Sequence, residues 1–199
     1  MNRRHFILAG SGLVVLTGPA KAQLLDVLTA PKTLIDRAIE ARTTSDIAKD
    51  NQIVLKINKA MADVGSAKAS TEIYEQRLLL TGLFDDKKTY DTFEKAVRAV
   101  PDVKKLYWHV AYLSKEDQEK RKAELASWSD VLTMETKAKA RLIGTKDVAD
   151  VNFCVTGDAF RTIYVLGRAR SKSEADKALA RLKEGEGVKK VVSYIDVRA

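Results

Sequence analysis

The sequence predicts an α+β fold of two tandem α-β-β-α-β modules. Each module would be a small three-stranded mixed sheet packed with two helices, and one extra helix would precede the first. Three observations predict this. The 199-residue chain repeats itself at a fixed offset, each copy passes through the same order of helical and alternating patterns, and glycines punctuate both copies at matching places. Lining up Gly82 with Gly167 sets the offset at 85. Asp102-Val103-Lys104-Lys105 then falls on Gly187-Val188-Lys189-Lys190 without a gap, and Leu78-Leu79-Leu80-Thr81-Gly82 on Ile163-Tyr164-Val165-Leu166-Gly167. Tyr90, Phe93, Val97 and Val100 stand opposite Ala175, Ala178, Leu182 and Gly185. One residue of slippage aligns the upstream helices, from Asp46 and from Asp130 onward.

In the first copy, residues 46–61 place Ile53, Val54, Ile57, Ala60 and Met61 on one helical face. Residues 70–76 and 77–84 read as a hairpin of strands. Asp86 is placed to cap a helix running to about Ala99, which Pro101 ends, and residues 103–112 form the last strand. In the second copy a helix over 129–143 stops at Gly144. Residues 151–155 alternate as a half-buried strand should, turning at Gly157-Asp158 into a strand over 162–169. Ser171-Lys172-Ser173-Glu174 has the pattern of a capping box, and residues 188–197 close the unit. Between the copies, residues 114–127 are highly charged and hold no Gly or Pro, which predicts a helical connector merging into the next helix. Residues 34–41 look like an extra helix that could cover a module edge.

Three glycines have mechanical roles in this reading. Gly82 and Gly167 sit inside strands, where they imply a bulge or a helix backbone packed where a Cβ would clash. Gly187 suits the turn into the final strand.

Hydrophobic residues make up 45% of the chain and charged residues 31%, enough apolar material for real but small cores. The N-terminus predicts export. Basic Asn2-Arg3-Arg4 precedes an apolar run from Phe6 to Leu16, then Gly18-Pro19 and Ala20-Lys21-Ala22, an A-x-A pattern that makes residues 1–22 a leader cleaved after Ala22. Arg3-Arg4-His5-Phe6-Ile7 is similar to the R-R-x-F-L pattern of twin-arginine leaders; general secretion is the alternative. With Gln23 and not Cys directly after the cleavage site, no lipid anchor is expected, and no later stretch is long and apolar enough to span a bilayer. The expected localisation is therefore periplasmic. Cys154 is the only cysteine, so no internal disulfide can form, and it is expected as a small buried apolar side chain. Of the net +8, the leader holds three basic residues and no acid; residues 128–199 carry 14 Lys and Arg against 10 Asp and Glu. That excess hints at an anionic partner but falls short of a nucleic-acid-binding stripe.

The unit of roughly 65 residues, with Val165-Leu166-Gly167-Arg168-Ala169, Glu174 and Gly187-Val188-Lys189-Lys190-Val191-Val192, resembles the bacterial osmotically inducible and nodulation (BON) domain. The first copy keeps Leu80-Thr81-Gly82 and Val103-Lys104-Lys105 but has Asp102 at the later glycine. The layout looks like the double-BON proteins of the Gram-negative periplasm, with a leader (1–22), a helical extension (23–45), a first BON domain (46–113), a connector (114–128) and a second BON domain (129–199). The resemblance implies binding at phospholipid surfaces or to envelope proteins, a link to envelope or osmotic stress, and no catalysis.

The residues themselves point to no chemistry. His109 is the one histidine after the leader, the single cysteine cannot build a structural zinc site, and there is no Gly-rich phosphate loop or nucleophile elbow. No metal, cofactor or catalytic residue is expected. His109 reads as a packed or surface histidine and Asp85-Asp86 as helix capping. Tyr107, Trp108 and Tyr112 read as core or inter-module packing. A binding surface is the better candidate. Trp128 opens the first helix of the second copy, with Lys137, Lys139, Arg141 and Lys146 further along it, an aromatic anchor with basic side chains of the kind that docks on anionic headgroups. The other reading of these residues is a core tryptophan and a solvated basic face. The partner expected is an anionic phospholipid surface or an envelope protein, with no nucleic acid.

Overall fold

A computed structural model describes residues 39–65 and 68–198; the leader of residues 1–22 and residues 34–38 of the helix expected over 34–41 lie outside the described residues, and Glu40 and Ala41 are not helical. The first module runs α1 (Thr44–Asp63), β1 (Ala69–Tyr74), β2 (Arg77–Phe84), α2 (Lys87–Arg98) and β3 (Lys105–Tyr112). A short helix α3 (Lys115–Lys120) leads to the second module: α4 (Trp128–Ile143), β4 (Phe153–Gly157), β5 (Thr162–Ala169), α5 (Lys172–Lys183) and β6 (Lys190–Val197). Each sheet has three strands in sequence order, the first pair antiparallel and the second parallel.

The repeat is visible in the hydrogen bonding. Arg77 pairs with Lys105 as Thr162 pairs with Lys190, and the turn bonds Lys104 N–H to Gln76 C=O and Lys189 N–H to Arg161 C=O are both 2.9 Å. The one-residue slippage has a structural cause. The β1–β2 hairpin turns on two residues, Glu75 and Gln76, both at positive φ (53° and 62°) as a type I′ turn requires. The β4–β5 hairpin closes at Asp158 and Thr162 (3.1 Å) over one residue more, ending on Arg161 at φ 64°. Glu75 and Gln76 lack glycine's freedom, and Asp50 holds them there: its buried carboxylate accepts both amides, at 3.0 and 2.7 Å. The later glycine behaves alike, since Gly187 (φ 77°) and Asp102 (φ 71°) share the left-handed conformation.

Each sheet buries one face under its own helices. Leu78, Leu80 and Phe84 of β2 join Ile53 and Ile57 of α1, Phe93 and Val97 of α2, and Val110. Ile163, Val165 and Ala169 of β5 join Met134, Ala138 and Leu142 of α4, and Ala178 and Leu182 of α5. The alternate residues of the same strands point the other way and pack sheet against sheet: Tyr74 and Leu79 meet Tyr164 and Leu166. Thr81 and Thr156 share a hydrogen bond at 2.9 Å across this layer. Arg77, at the start of β2, donates to the carbonyls of Gly167 (2.8 Å), near the end of β5, and of Tyr194 (3.0 Å), just past the middle of β6, so the strands of the two sheets run in opposing directions. The result is a four-layer helix–sheet–sheet–helix sandwich.

Several expectations need correcting. The connector does not merge into α4: α3 stops at Lys120, Ser127 caps a new helix with a capping box to Asp130, and Ala126 N–H is tied to Ala159 C=O at 2.8 Å. The 151–155 strand starts late, because residues 150–152 form one 3-10 turn, and its residues are buried on both faces because the other sheet covers it. Ser171 caps α5 as expected, but Glu174 does not reach back to it. Its carboxylate accepts Ala149 N–H (2.7 Å) and Arg170 N–H (2.8 Å), fastening the helix to the preceding loop. At Gly82 and Gly167 the obstacle is the backbone carbonyl of the residue just before the neighbouring strand, not a packed α-helix. A Cβ would lie 2.6 Å from Lys68 O in the first case and 2.0 Å from Asn152 O in the second.

Two outcomes follow. Gly167→Ala should cost about 2 kcal/mol or more and lower the thermal midpoint by about 4 °C or more. Gly144→Ala, whose nearest neighbour would be 3.9 Å away, should leave the midpoint within error. Differential scanning calorimetry of both variants checks this, and an equal response would contradict the clash. Because the modules share a buried layer, Trp128→Phe, which leaves Trp108 as the reporter of the first module, should unfold in urea with coincident fluorescence and far-UV circular dichroism curves. A separate early or late fluorescence transition would mean independent modules.

Candidate interaction surface

Trp128 is half-buried and lines a groove of roughly 360 Å³ between the modules. Leu83, Leu125 and Val131 supply the apolar lining, and Lys68, Lys115 and Lys122 the positive charge. They come from four places: the end of β2 (Leu83), the connector (Lys115, Lys122, Leu125), the start of α4 (Val131) and the loop before β1 (Lys68). Two acids also line the groove, and its Lys68 lies 3.8 Å from Asp85. Glu119 pairs with Lys122 at 3.1 Å. The buried Asp158 carboxylate accepts the amides of Phe160 and Thr162 and the hydroxyl of Tyr164, all within 2.9 Å. Beside the groove, Phe160 sits on the β4–β5 hairpin with the Arg121 guanidinium 5.3 Å from its ring centre. Two aromatic rings and several cations thus gather at one end of the sandwich.

The basic residues expected to accompany Trp128 do not join it. Lys137 faces Glu186 at 3.9 Å, and Arg141 lies alongside Gly185, both toward the α5–β6 turn. Lys139 is on the opposite flank of α4, about 200° around the helix from Lys137, donating to Glu72 of the first module at 2.8 Å. Lys146 lies beyond the C-terminal end of α4. The helix distributes them because two-residue and four-residue steps point in different directions. The lysines that do reach Trp128 come from elements distant in sequence, and Leu125, an isolated apolar residue in the charged connector, was the one local signal for them.

The flank of α4 nearest the first module holds a buried polar cluster. Glu135 accepts from Ser70 (3.1 Å), Thr156 (2.8 Å) and Gly157 N–H (2.8 Å), and burial raises its carboxyl above the usual range. Lys139 is held above its usual value against burial by Glu72 and Glu135. Cys154 lies in the inter-sheet layer, partly buried, its thiol pushed up to about 12 first by burial and then by Glu72. At the far side Asn152, fully buried, accepts from Ala41 N–H (2.8 Å) and Tyr74 hydroxyl (3.0 Å) and donates to Ile39 C=O (2.9 Å). It binds the described end of the N-terminal extension to both modules. Among the described residues, no three His, Cys, Asp or Glu side chains are grouped to hold a metal ion. No helix among them is long and apolar enough to cross a membrane.

His109 and the aromatic strand β3 pack between modules and against α2. Tyr107 stacks on Tyr194 with ring centres 3.8 Å apart, and His109 Nε2 shares a hydrogen bond with the Tyr194 hydroxyl at 2.7 Å. Trp108 donates to the Tyr90 hydroxyl at 3.0 Å on the helix side. Burial lowers the His109 imidazole below its ordinary value; Asp158 opposes this and Lys190 adds to it. A base depressed in the folded state stabilises the fold above its unfolded value, and that contribution is lost as pH falls through it toward the folded value. Lowering the pH from about 7.5 to about 5.5, across the ordinary value near 6.5, should therefore lower the urea midpoint more for the natural protein than for His109→Gln. Parallel denaturation series at the two pH values test this; equal drops would exclude His109 as the titrating group.

Comparison with known proteins adds the family relationship of the second module. Residues 130–199 match the BON domain family. Over 150 residues the chain is 25% identical to an uncharacterized protein in the gshII 5′ region of Anaplasma centrale, covering 75% of this chain and 95% of that one. Two solved structures of CdsD, a structural protein of the type III secretion system of Chlamydia trachomatis, are similar at 11% and 13% identity with TM-scores of 0.29. They cover 73% and 74% of this chain and 92% and 97% of theirs, and the likeness is too distant to bear on function. The BON domain is generally non-catalytic and typical of the periplasm and cell envelope, so its match in the second module points to a non-enzymatic, envelope-associated role.

Proposed function

We propose that this is an exported tandem double-BON protein that attaches peripherally to anionic phospholipid surfaces through the Trp128 end of the sandwich, in the service of the envelope under osmotic or other stress. The observation that carries the reading is the groove itself. It combines Trp128, a floor of Leu83, Leu125 and Val131, and Lys68, Lys115 and Lys122 at one end of the molecule. An amphipathic aromatic sits well at the headgroup level, and each lysine near an anionic surface contributes about 1 kcal/mol. Because Lys122 is paired with Glu119 and Lys68 with Asp85, the attachment is weak and salt-sensitive, not a permanent anchor. A twin-arginine leader cleaved after Ala22 would deliver the chain, unlipidated, to the periplasm.

Sedimentation with phosphatidylcholine vesicles, with and without phosphatidylglycerol, tests the reading. Pelleting should require the anionic lipid, weaken at high salt, and fall about fivefold with Lys115→Ala and further with Trp128→Ala. Lys137→Ala, on the far flank of α4, should bind as the natural protein does. No anionic-lipid-dependent pelleting at low salt would defeat the proposal. Capture of an envelope protein through Trp128 in lipid-free extract would favour the alternative, a protein-binding or stress-protective module.

A further inference from the structure

With both sheet faces buried, the accessible unpaired main chain is at the sheet edges, and the two sides of the sandwich differ. On one side, β1 and β4 are short and buried along almost their whole length. The polar cluster of Glu72, Lys139 and Glu135 and the segment around Ala41 flank them. On the other, β3 and β6 are eight residues each, at least partly exposed at every position but the buried Val110, and pair on one edge alone among the described residues. These two open ladders lie side by side, because Tyr107 and His109 of β3 meet Tyr194 of β6. Edge strands are usually guarded by central charges, a bulge or proline. Here β3 carries no acidic or basic side chain between Lys105 and Tyr112 apart from His109, and the charges of β6, Lys190 and Asp196, stand near its ends.

We infer that this double edge is the interface between two copies of the chain, β3 pairing antiparallel with β3 and β6 with β6 of the second copy. Three features select that occupant. A single extended peptide could close one ladder and leave the other open, whereas a second copy offers two edges at the same spacing. Next, the midpoints of β3 and β6 lie over one another, at the His109–Tyr194 hydrogen bond, so one two-fold axis through both layers serves both pairings at once. Last, the strand ends complement themselves. Tyr112 and Val197 are equivalent positions in the repeat and two of the large apolar side chains that remain exposed (36% and 50%). Antiparallel pairing sets Tyr112 opposite Lys105 of the other copy and Val197 opposite Lys190, another equivalent pair. Each exposed apolar side chain would be covered by a lysine stem, with the ammonium free to reach water. The two pairings join the sheets of both copies into two continuous six-stranded layers.

Sedimentation velocity on the lipid-free protein, from low micromolar concentration to the solubility limit, tests this independently of membrane binding. The expected result is a concentration-dependent shift from one copy to two. The double variant Tyr112→Lys/Val197→Lys sets like charges opposite each other in both layers and should weaken the dimer by about tenfold or more. Tyr112→Glu/Val197→Glu, which faces Lys105 and Lys190, should restore it at low salt. Circular dichroism confirms that both variants fold, the substituted side chains being exposed. A spin label on Ser193→Cys, in a Cys154→Ser background, should report its twin across the axis at close range. A single copy at every concentration would overturn the inference. So would a dimer indifferent to both double variants, or one whose Ser193 labels are far apart.

Discussion

Leu79 and Tyr164 sit at corresponding positions of the two repeats, each flanked in sequence by residues that point into its own module. Their burial against each other's sheets is the contact on which the architecture depends. A unit of this size buries too little surface to be more than marginal alone. Closing Tyr74, Leu79, Tyr164 and Leu166 into a dry layer gives both units a second core, each large apolar side chain contributing about 1.5–3 kcal/mol. The fold is therefore one sandwich, although it is assembled from two units of the same topology.

Polar groups set the geometry of that layer. Apolar faces alone permit sliding, but Arg77 fits the carbonyls of Gly167 and Tyr194, Thr81 meets Thr156, and Tyr74 meets Asn152. Glu135 and Lys139 of α4 reach Ser70 and Glu72 across the seam. Such groups cost desolvation and are satisfied at one alignment, so they select a register more than they add stability. The same economy leaves little for function. Sheet faces and several basic side chains are committed to holding the modules together. The groove at the Trp128 end and the β3/β6 edge remain available.

Helix and strand order was legible because it depends on local periodicity. The β5 strand over 162–169, the Asp86 cap and the left-handed turn at Gly187 all stand where pattern and turn chemistry place them. The errors came where distant groups compete with local rules. Glu174 has a capping-box position but finds better partners in Ala149 and Arg170. The connector has helical composition throughout, yet Ala126 is drawn to Ala159 and the helix breaks. Residues 151–155 alternate like a half-exposed strand because cysteine and asparagine count as polar in a pattern, although both are packed in the interior or the layer.

The candidate surface shows the same division. By itself, the sequence determined that there are two copies of one module, where their glycines must stand, and that Trp128 opens a helix in the more basic half. Those are properties of neighbouring residues and of offset, which survive without coordinates. Tertiary structure alone decided which cations share Trp128's surroundings. Lys137 and Arg141 are close to it in sequence but are rotated away around α4, and Lys139 lies about three turns further along the helix and is held by Glu72, while Lys68, Lys115 and Lys122 reach it from other segments. It also decided that the modules face one another sheet to sheet. Helical rotation separates near neighbours and chain folding joins distant ones, so a surface is written in three dimensions even where every element is written in one.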